Sequence, residues 1–229
     1  MIALDVLEII LLFSLFAFSH TLLASRKIKK EIASGIFHRS ENSGKLLEKK
    51  TGSKIAFYRL FYNFSSLIIF IAFYSIAPRP DVIVYDLRFP FDIITFALQI
   101  LSLTGIIWAA RSFDLKEFLG IAQIKRYMRG EYNVDDLDEN SKLKVDGAYK
   151  LVRHPLYLFF ILFLGLRPTM NLFYLTTFVC IVVYFYVGSI YEEKKLVERF
   201  GDEYREYQKR VPRLFPLKIG NKKIIEVKK

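Results

Sequence analysis

Residues 172–193 read LFYLTTFVCIVVYFYVGSIYEE, a run of twenty residues without a charge that ends in two adjacent carboxylates. An α-helix needs about twenty mostly apolar residues to cross the roughly 30 Å hydrocarbon core of a bilayer. Leu172–Tyr191 therefore predicts a membrane-spanning helix. This prediction decides the class of protein, because apolar residues elsewhere in the chain are grouped in the same way.

Three further apolar blocks reach a similar length: Ile9–Ala24 extended by residues 1–8, Ile55–Ala77 and Phe91–Ala110. The first block starts with acidic residues and lacks a basic leader, which argues against a cleaved signal peptide. Leu156–Leu166 is also uninterrupted, and we expect a short crossing packed against its neighbour. The sequence therefore predicts an all-α, polytopic membrane protein with about five transmembrane helices.

The net charge of +11 is unevenly distributed among the loops. Residues 25–54 hold nine Lys and Arg against three acids, whereas residues 78–90 hold two of each sign. Cytoplasmic loops of membrane proteins are enriched in Lys and Arg, so residues 25–54, 111–154 and the tail after residue 193 are expected inside. This places the N-terminus outside and the C-terminus inside. The positive charge is then explained by membrane topology and by attraction to anionic lipid. This argues against nucleic acid as a partner.

The chain changes character near residue 112. Residues 1–112 are predicted to form an N-terminal region of three transmembrane helices, and residues 113–229 a second region with a helical hairpin. After the last span comes a charged amphipathic helix with apolar residues at helical spacing, expected on the cytoplasmic membrane surface. Gly201 is placed to bend or break this helix. Pro168 and Asn171 predict the turn of the hairpin.

Signatures of soluble enzymes are missing from the sequence. No two of the eleven glycines form G-x-G, so neither a dinucleotide fingerprint nor a P-loop is available. The single cysteine, Cys180, allows no intrachain disulfide and reads as a small apolar packing residue. The three histidines are too far apart in sequence to propose a metal site.

Polar residues at membrane boundaries are the remaining candidates, because burying them costs several kcal/mol by typical estimates. Arg153 and His154 precede Pro155, which suits the first turn of a helix. Such a helix start binds carboxylate or phosphate, and Arg153 would add a two-pronged clamp. The alternative is that Arg153 extends to lipid headgroups and His154 caps the helix.

Glu192 and Glu193 follow the uncharged span directly. Two adjacent carboxylates at this edge indicate a local need for negative charge, for example to hold an ammonium or a sulfonium group. The alternative is ion pairing along the same helix with Lys194, Lys195 or Arg199.

His20, Arg59 and Arg111 each lie near the cytoplasmic half of a span. A lone histidine such as His20 is either a packing residue with its hydrogen bonds satisfied or a functional group. The sequence alone leaves both interpretations open.

Two ordered motifs resemble a known superfamily. GAYKLVRHPLYLFF at residues 147–160 and YEEKKLVERFGDEYREYQKRVPRLFP at residues 191–216 are similar to the C-terminal signature of membrane methyltransferases. That superfamily includes isoprenylcysteine carboxyl methyltransferase and phospholipid methyltransferases. In the first half, SHTLLASRKIK, FYRLFYN and SFDLKEFLGIAQI resemble the methanethiol S-methyltransferase and NnrU-like branch.

The resemblance implies S-adenosylmethionine as the methyl donor, bound between the last two membrane helices and the C-terminal helix, with the site facing the cytoplasm. It implies a carboxylate contact from Arg153, His154 and the helix start, and contacts to the cationic groups from the two glutamates. Tyrosines would line the adenosine. The implied cofactor-binding residues are Tyr149, Arg153, His154, Pro155, Tyr157, Glu192, Glu193 and Tyr204; no metal is expected.

The leading hypothesis is an integral membrane methyltransferase that S-methylates a small thiol in the inner or plasma membrane. A thiolate is the nucleophile, so Arg59 or a protonated His20 is predicted to favour its formation as a catalytic residue. The alternative acceptors are a prenylated cysteine carboxylate and a lipid amine. A sterol-like NADPH reductase and a non-catalytic NnrU-like membrane protein are the hypotheses from other classes.

Overall fold

A computed structural model describes residues 1–25, 28, 44–112, 114–131 and 143–216, with side chains described from residue 56 onward in the second helix. Most of the basic loop at 25–54, the acidic patch near residue 137 and the end of the tail lie outside these residues. The described helices are α1 (Ile2–Ala24), α2 (Gly44–Ile76), α3 (Phe91–Arg111), α4 (Leu115–Leu119), α5 (Ile121–Met128), α6 (Pro155–Gly165), α7 (Leu172–Phe200) and α8 (Asp202–Arg210). The strands are β1 (Ile83–Asp86) and β2 (Thr169–Asn171), and a 3₁₀ turn covers Gly147–Lys150.

Four of these helices are long and apolar enough to cross a membrane: α1, the Ala56–Ile76 part of α2, α3 and α7. Their apolar side chains are mostly exposed on the outside of the bundle. Soluble proteins rarely expose contiguous apolar surface on this scale, whereas lipid covers it in a membrane. The predicted all-α, polytopic membrane architecture is therefore confirmed, with four long spans at the predicted positions.

The short apolar helix α6 runs alongside α3. Gln99 Nε2 in α3 donates a hydrogen bond of 2.9 Å to the carbonyl of Phe163. Further along α3, the ring of Phe159 lies over Gly105, where a side chain would overlap it. Glycine at this position therefore allows α6 to approach α3 closely.

One end of the bundle is closed by a two-stranded antiparallel ribbon of β1 and β2, with Ile83 opposite Asn171 and Tyr85 opposite Met170. We refer to this as the ribbon end and to the opposite end as the site end. The sequence predicted only a turn at residues 167–171. Asn171 does begin α7, since its Oδ1 accepts a hydrogen bond of 2.9 Å from the Tyr174 amide. The strand was missed because its partner is more than eighty residues away.

Aromatic packing holds the long helices together near the ribbon end. Phe13 in α1 meets Phe73 in α2 edge to face, with 5.6 Å between ring centroids. Phe173 at the start of α7 and Ile9 complete this buried cluster. The cluster fixes α1 between α2 and α7.

A tight elbow joins α4 to α5 at the site end. Gly120 has a φ of +86°, and a Cβ there would lie 2.9 Å from the Leu60 amide nitrogen of α2. Arg59 Nε and Asn63 Nδ2 both donate to the Phe118 carbonyl, at 2.9 and 2.8 Å. Only glycine tolerates both this φ and this approach, so the elbow rests directly on α2.

The last span continues as α7 beyond the membrane-length stretch to Phe200. Gly201 then adopts a φ of +57° and α8 starts at Asp202. The predicted break at Gly201 is confirmed. The division into two regions at residue 112 stays a prediction.

Candidate active site

Arg153 and Glu193 form a buried ion pair that joins the start of α6 to α7. Arg153 Nε lies 2.8 Å from Glu193 Oε1, and Nη2 lies 3.0 Å from Oε2. The Arg153 side chain is 9% exposed and that of Glu193 is 3% exposed. Two parallel N–H···O bonds are the strong, geometrically specific form of this pair. The two motifs therefore meet in space at the site end.

The chain after α8 folds back onto this pair. Arg153 Nη1 donates to the carbonyls of Gln208 and Val211, at 3.0 and 2.6 Å. The Arg153 amide donates to the Pro212 carbonyl and the His154 amide to the Arg213 carbonyl. The V-P-x-x-x-P segment (residues 211–216) therefore contacts the backbone of residues 153 and 154 through the Pro212 and Arg213 carbonyls.

Two further residues complete the surroundings of Glu193. Gln208 Nε2 donates to Glu193 Oε2 at 2.9 Å, and Arg213 Nη2 lies 3.2 Å from the same oxygen. Sequence reasoning missed both. Arg213 sits inside the recognised motif, but its partner twenty residues away could only be found by folding the chain. Pairing of Glu193 with Lys194, Lys195 or Arg199 is not seen among the described residues.

His154 lies between the two glutamates. Its Nε2 is 3.2 Å from Glu193 Oε1 and its Nδ1 is 3.5 Å from Glu192 Oε2. Burial acts to lower the pKa of His154, but hydrogen bonding and charge from Glu192 and Glu193 outweigh it and raise the pKa above 6.5. A protonated imidazole donates from both nitrogens, which matches carboxylates on both sides.

Glu192 is the more accessible carboxylate, with its side chain 50% exposed. Tyr157 donates a hydrogen bond of 3.1 Å to Glu192 Oε2. In the part of the chain that the structure describes, the other oxygen, Oε1, makes no hydrogen bond. Glu192 is therefore able to accept a hydrogen bond from a cationic group.

An aromatic stack runs from His154, beside Glu192, into the helix bundle. The His154 and Tyr157 rings are stacked at 5.2 Å, and Tyr157 stacks on Phe185 of α7 at 4.5 Å, 9° from parallel. Phe185 was not predicted, since a phenylalanine in an apolar span carries no local signal. Flat, stacked rings offer a face to an adenine ring or to a cation.

The remaining predicted residues lie around this edge. Pro155 occupies the first turn of α6 as expected, and His154 is at the N-cap position without a capping side-chain hydrogen bond. Tyr149 accepts a hydrogen bond of 2.6 Å at its carbonyl from Tyr207. Tyr204 is 1% exposed and packs on Tyr207. Burial is the largest of the effects that raise the pKa values of the Tyr204 and Tyr207 hydroxyls, so both stay neutral.

His20 lies deeper, between three helices. Its Nε2 is 2.7 Å from the Tyr62 hydroxyl of α2, and its Nδ1 is 2.7 Å from the Tyr184 hydroxyl of α7. Sequence reasoning found His20 but neither tyrosine partner. Arg59 stands one helical turn from Tyr62, where its Nε bonds the Phe118 carbonyl and its guanidinium lies over the Phe118 ring.

The residues at the site end fit a zwitterionic cofactor. A carboxylate oxygen with no described partner, the first amides of α6 and stacked rings provide contacts for an ammonium, a carboxylate and an adenine. Within the described ranges, no group of three His, Cys, Asp or Glu side chains is placed to hold a metal ion.

Comparison with known proteins found relatives that are methyltransferases. The chain is 29% identical to methanethiol S-methyltransferase 1 of Bradyrhizobium diazoefficiens, over 90% of this chain and 65% of that protein. It is 27% identical to a methanethiol S-methyltransferase of Crocosphaera subtropica, over 92% and 74%. It is also 31% identical to protein-S-isoprenylcysteine O-methyltransferase of Schizosaccharomyces pombe, over 57% and 56%. No family model and no solved structure matches.

The fold and these relatives agree with the membrane methyltransferase superfamily that the motifs resemble. The chain is homologous to the S-methyltransferases and the isoprenylcysteine O-methyltransferases of that superfamily, as its motifs predicted. The NnrU-like detail of the resemblance stays a prediction. The chain spans slightly less than two thirds of the Bradyrhizobium relative.

Proposed function

We propose that this protein is an integral membrane methyltransferase that uses S-adenosylmethionine to S-methylate a small thiol. Methanethiol S-methyltransferases match over about nine tenths of the chain, which supports a small thiol as acceptor. The observation that carries the proposal is Glu192, an accessible carboxylate with one oxygen that has no described partner, beside the Tyr157–Phe185 stack. This is a place where a positively charged group can bind.

The chain's own residues divide the work of binding. Glu192 accepts a hydrogen bond from the ammonium, and the first amides of α6 bind the carboxylate, while His154 stays between the two glutamates. Tyr149 and Tyr157 lie near the adenosine, whereas Tyr204 is buried against Tyr207 and supports the site from behind. Arg153 and Glu193 are largely occupied by one another, so we assign them the task of positioning His154 and Pro155. When bound, the cofactor supplies a methyl group on a positively charged sulfur. Aligning acceptor and methyl in a line then supplies much of the rate.

The acceptor thiol must lose a proton, and His20 with its partners Tyr62 and Tyr184 is suited to take it. A neutral imidazole has one N–H donor and one acceptor nitrogen, and a tyrosine occupies each nitrogen here. One hydroxyl therefore donates to His20, while the other accepts from it and keeps its own proton available. The donating tyrosine relays the thiol proton to His20 as its own proton moves to the imidazole. Arg59 adds positive charge one turn from Tyr62 and favours the thiolate.

The distance from this group to the cofactor edge is compatible with such a role. Tyr184 and Glu192 are eight residues apart on α7, or about 12 Å at 1.5 Å per residue. S-adenosylmethionine is long enough to extend from Glu192 toward Tyr184. The site end then faces the cytoplasm, with α6 as a fifth crossing, N-terminus outside and C-terminus inside.

The proposal is tested by ligand binding and by product. S-Adenosylhomocysteine should raise the melting temperature of the purified protein in detergent, whereas NADPH should not. Glu192→Gln should weaken this binding about tenfold or more, since a hydrogen bond to a charged group contributes about 1.5–3 kcal/mol. Glu198→Gln, an exposed glutamate on the same helix, is the matched control. Absence of S-adenosylhomocysteine binding at millimolar concentration would refute the assignment.

Headspace gas chromatography then identifies the acceptor. With methanethiol, the expected product is volatile dimethyl sulfide. His20→Ala should lower dimethyl sulfide formation while leaving S-adenosylhomocysteine affinity unchanged. An equal loss of activity and affinity would contradict the catalytic role of His20. The isoprenylcysteine O-methyltransferase homologues support a second candidate, a prenylated cysteine carboxylate. In that case the methylated product would stay in the lipid fraction.

A further inference from the structure

The ribbon end carries two arginines stacked on two tyrosines, far from the proposed active site. Arg167 lies 3.9 Å above the Tyr174 ring, and Arg79 lies 4.7 Å above the Tyr74 ring, measured from guanidinium carbon to ring centroid. The two tyrosine hydroxyls are 3.2 Å apart. We refer to these four residues as the arginine–tyrosine cluster.

Backbone contacts hold both guanidinium groups in place. Arg79 Nη2 donates to the Tyr74 carbonyl at 3.1 Å, and Arg167 Nε donates to the Thr169 carbonyl at 3.4 Å. The backbone of Arg167 is fixed in turn, because the Tyr85 hydroxyl donates to its carbonyl at 3.1 Å. The positive charges are therefore ordered before any ligand arrives, which reduces the entropy lost on binding.

The described residues supply no compensating negative charge to the cluster. Across the described parts of the chain, no carboxylate lies within ion-pair distance of Arg79 or Arg167. The nearby Asp86 bonds the Thr169 hydroxyl instead, at 2.6 Å. Each guanidinium has five N–H donors and the contacts above use one from each. Several donors in the cluster are left to bind an anion.

The hydroxyl pair adds one more donor. When two hydroxyls share a single hydrogen bond, one donates and the other keeps a proton for another acceptor. Two guanidinium groups and one hydroxyl are donors of the kind that phosphate oxygens accept from, and arginine binds phosphate in a forked geometry.

The surface beside the cluster is apolar and exposed. Leu67, Ile71 and Tyr74 follow one another at helical spacing on α2, with the two aliphatic side chains about half exposed. This stripe runs along α2 to Tyr74, so an acyl chain lying against it would bring its headgroup to the cluster. Tyrosine and arginine at this level are typical of the membrane interface.

We propose that the arginine–tyrosine cluster binds the phosphate headgroup of an anionic phospholipid at the ribbon end. Charge complementarity selects an anionic lipid, because the ammonium of a zwitterionic headgroup would face two uncompensated guanidinium groups. The apolar stripe favours a lipid over free phosphate. This proposal does not depend on the catalytic activity.

Native mass spectrometry of the full chain, from neutral detergent with equal phosphatidylglycerol and phosphatidylcholine, tests the proposal. Retained lipid should be mainly phosphatidylglycerol. Arg79→Gln and Arg167→Gln should each weaken retention about fivefold, the typical contribution of one basic residue near anionic lipid. Arg88→Gln removes an exposed charge from the same loop without touching the cluster, so its retention should match wild type. Equal losses in all three variants would mean general surface charge and overturn the proposal.

A second measurement uses the wild-type chain alone, in case the variants fold poorly. Phosphatidylglycerol should raise the melting temperature, while phosphatidylcholine and inorganic phosphate at the same concentration should leave it unchanged. An equal rise with phosphatidylcholine would overturn selectivity for an anion. An equal rise with inorganic phosphate would overturn the lipid as occupant.

Discussion

Glu192 and Glu193 are adjacent in sequence, but the helix turns them toward different surroundings. Glu193 is buried against Arg153, His154, Gln208 and Arg213. Glu192 is half exposed and bonds only through one oxygen among the described residues. The two carboxylates therefore differ in role: one holds the fold of the edge together, and the other remains accessible to a ligand.

This difference predicts opposite effects of the same substitution. Glu193→Gln leaves the Arg153 guanidinium buried without its anionic partner, and breaking a buried pair in this way costs about 3–5 kcal/mol. Thermal unfolding in detergent should show a large fall in melting temperature. Glu192→Gln should change the melting temperature little, since a half-exposed carboxylate contributes about 1 kcal/mol or less. The reverse order of the two variants would contradict the assignment.

His154 gives the stability a pH dependence. Its pKa is raised in the folded protein, so its contribution is complete below the unfolded value of 6.5 and is lost as pH rises through the folded pKa. The melting temperature should therefore fall as pH increases above about 6.5. His154→Gln should remove this part of the fall, visible in the difference between the two melting curves. A difference that is flat with pH would show that His154 is neutral in the fold.

At the level of secondary-structure elements, the contact between α3 and α6 depends on one glycine. A Cβ at Gly105 would lie 2.7 Å from Phe159 Cγ, so the Phe159 ring or the two helices would have to shift. Gly105→Ala should therefore destabilise the protein by about 1–3 kcal/mol, the usual cost of overpacking. Thermal unfolding measures the effect, and adding Phe159→Leu should recover part of it.

Gly188 on α7 provides the control for this prediction. A Cβ there would meet nothing within 4 Å, so Gly188→Ala should be neutral or slightly stabilising. Equal destabilisation by both alanines would mean that backbone effects, and not the contact with Phe159, determine the result.

At the scale of the whole molecule, the ribbon end and the site end lie at opposite ends of the long helices. Asp81 precedes β1, and Glu203 is exposed on α8. With Cys180→Ala as background, Asp81→Cys should react with a membrane-impermeant maleimide on intact cells. Glu203→Cys should react only after the membrane is opened, because the proposed orientation places the C-terminus inside. The opposite labelling pattern would show that the topology is inverted.

The sequence by itself determined the membrane class, the four long spans and the hairpin whose two arms bring Arg153–His154 and Glu192–Glu193 to one edge. Each of these follows from local composition: uncharged runs of helical length define spans, and two antiparallel spans bring their ends to one edge. The break at Gly201 and the start of α6 at Pro155 are local in the same sense, since each depends on the backbone preference of one residue.

Only the tertiary structure decided which glutamate is buried, which tyrosines bond His20, and where the V-P-x-x-x-P segment lies. It also paired β1 with β2 and placed Arg79 and Arg167 over their rings. These contacts join residues that are far apart in sequence, and the individual side chains look alike before folding. Hydropathy is a sum over neighbours along the chain and is therefore visible in sequence. Which carboxylate an arginine reaches depends on the packing of several helices, and that is settled only in three dimensions.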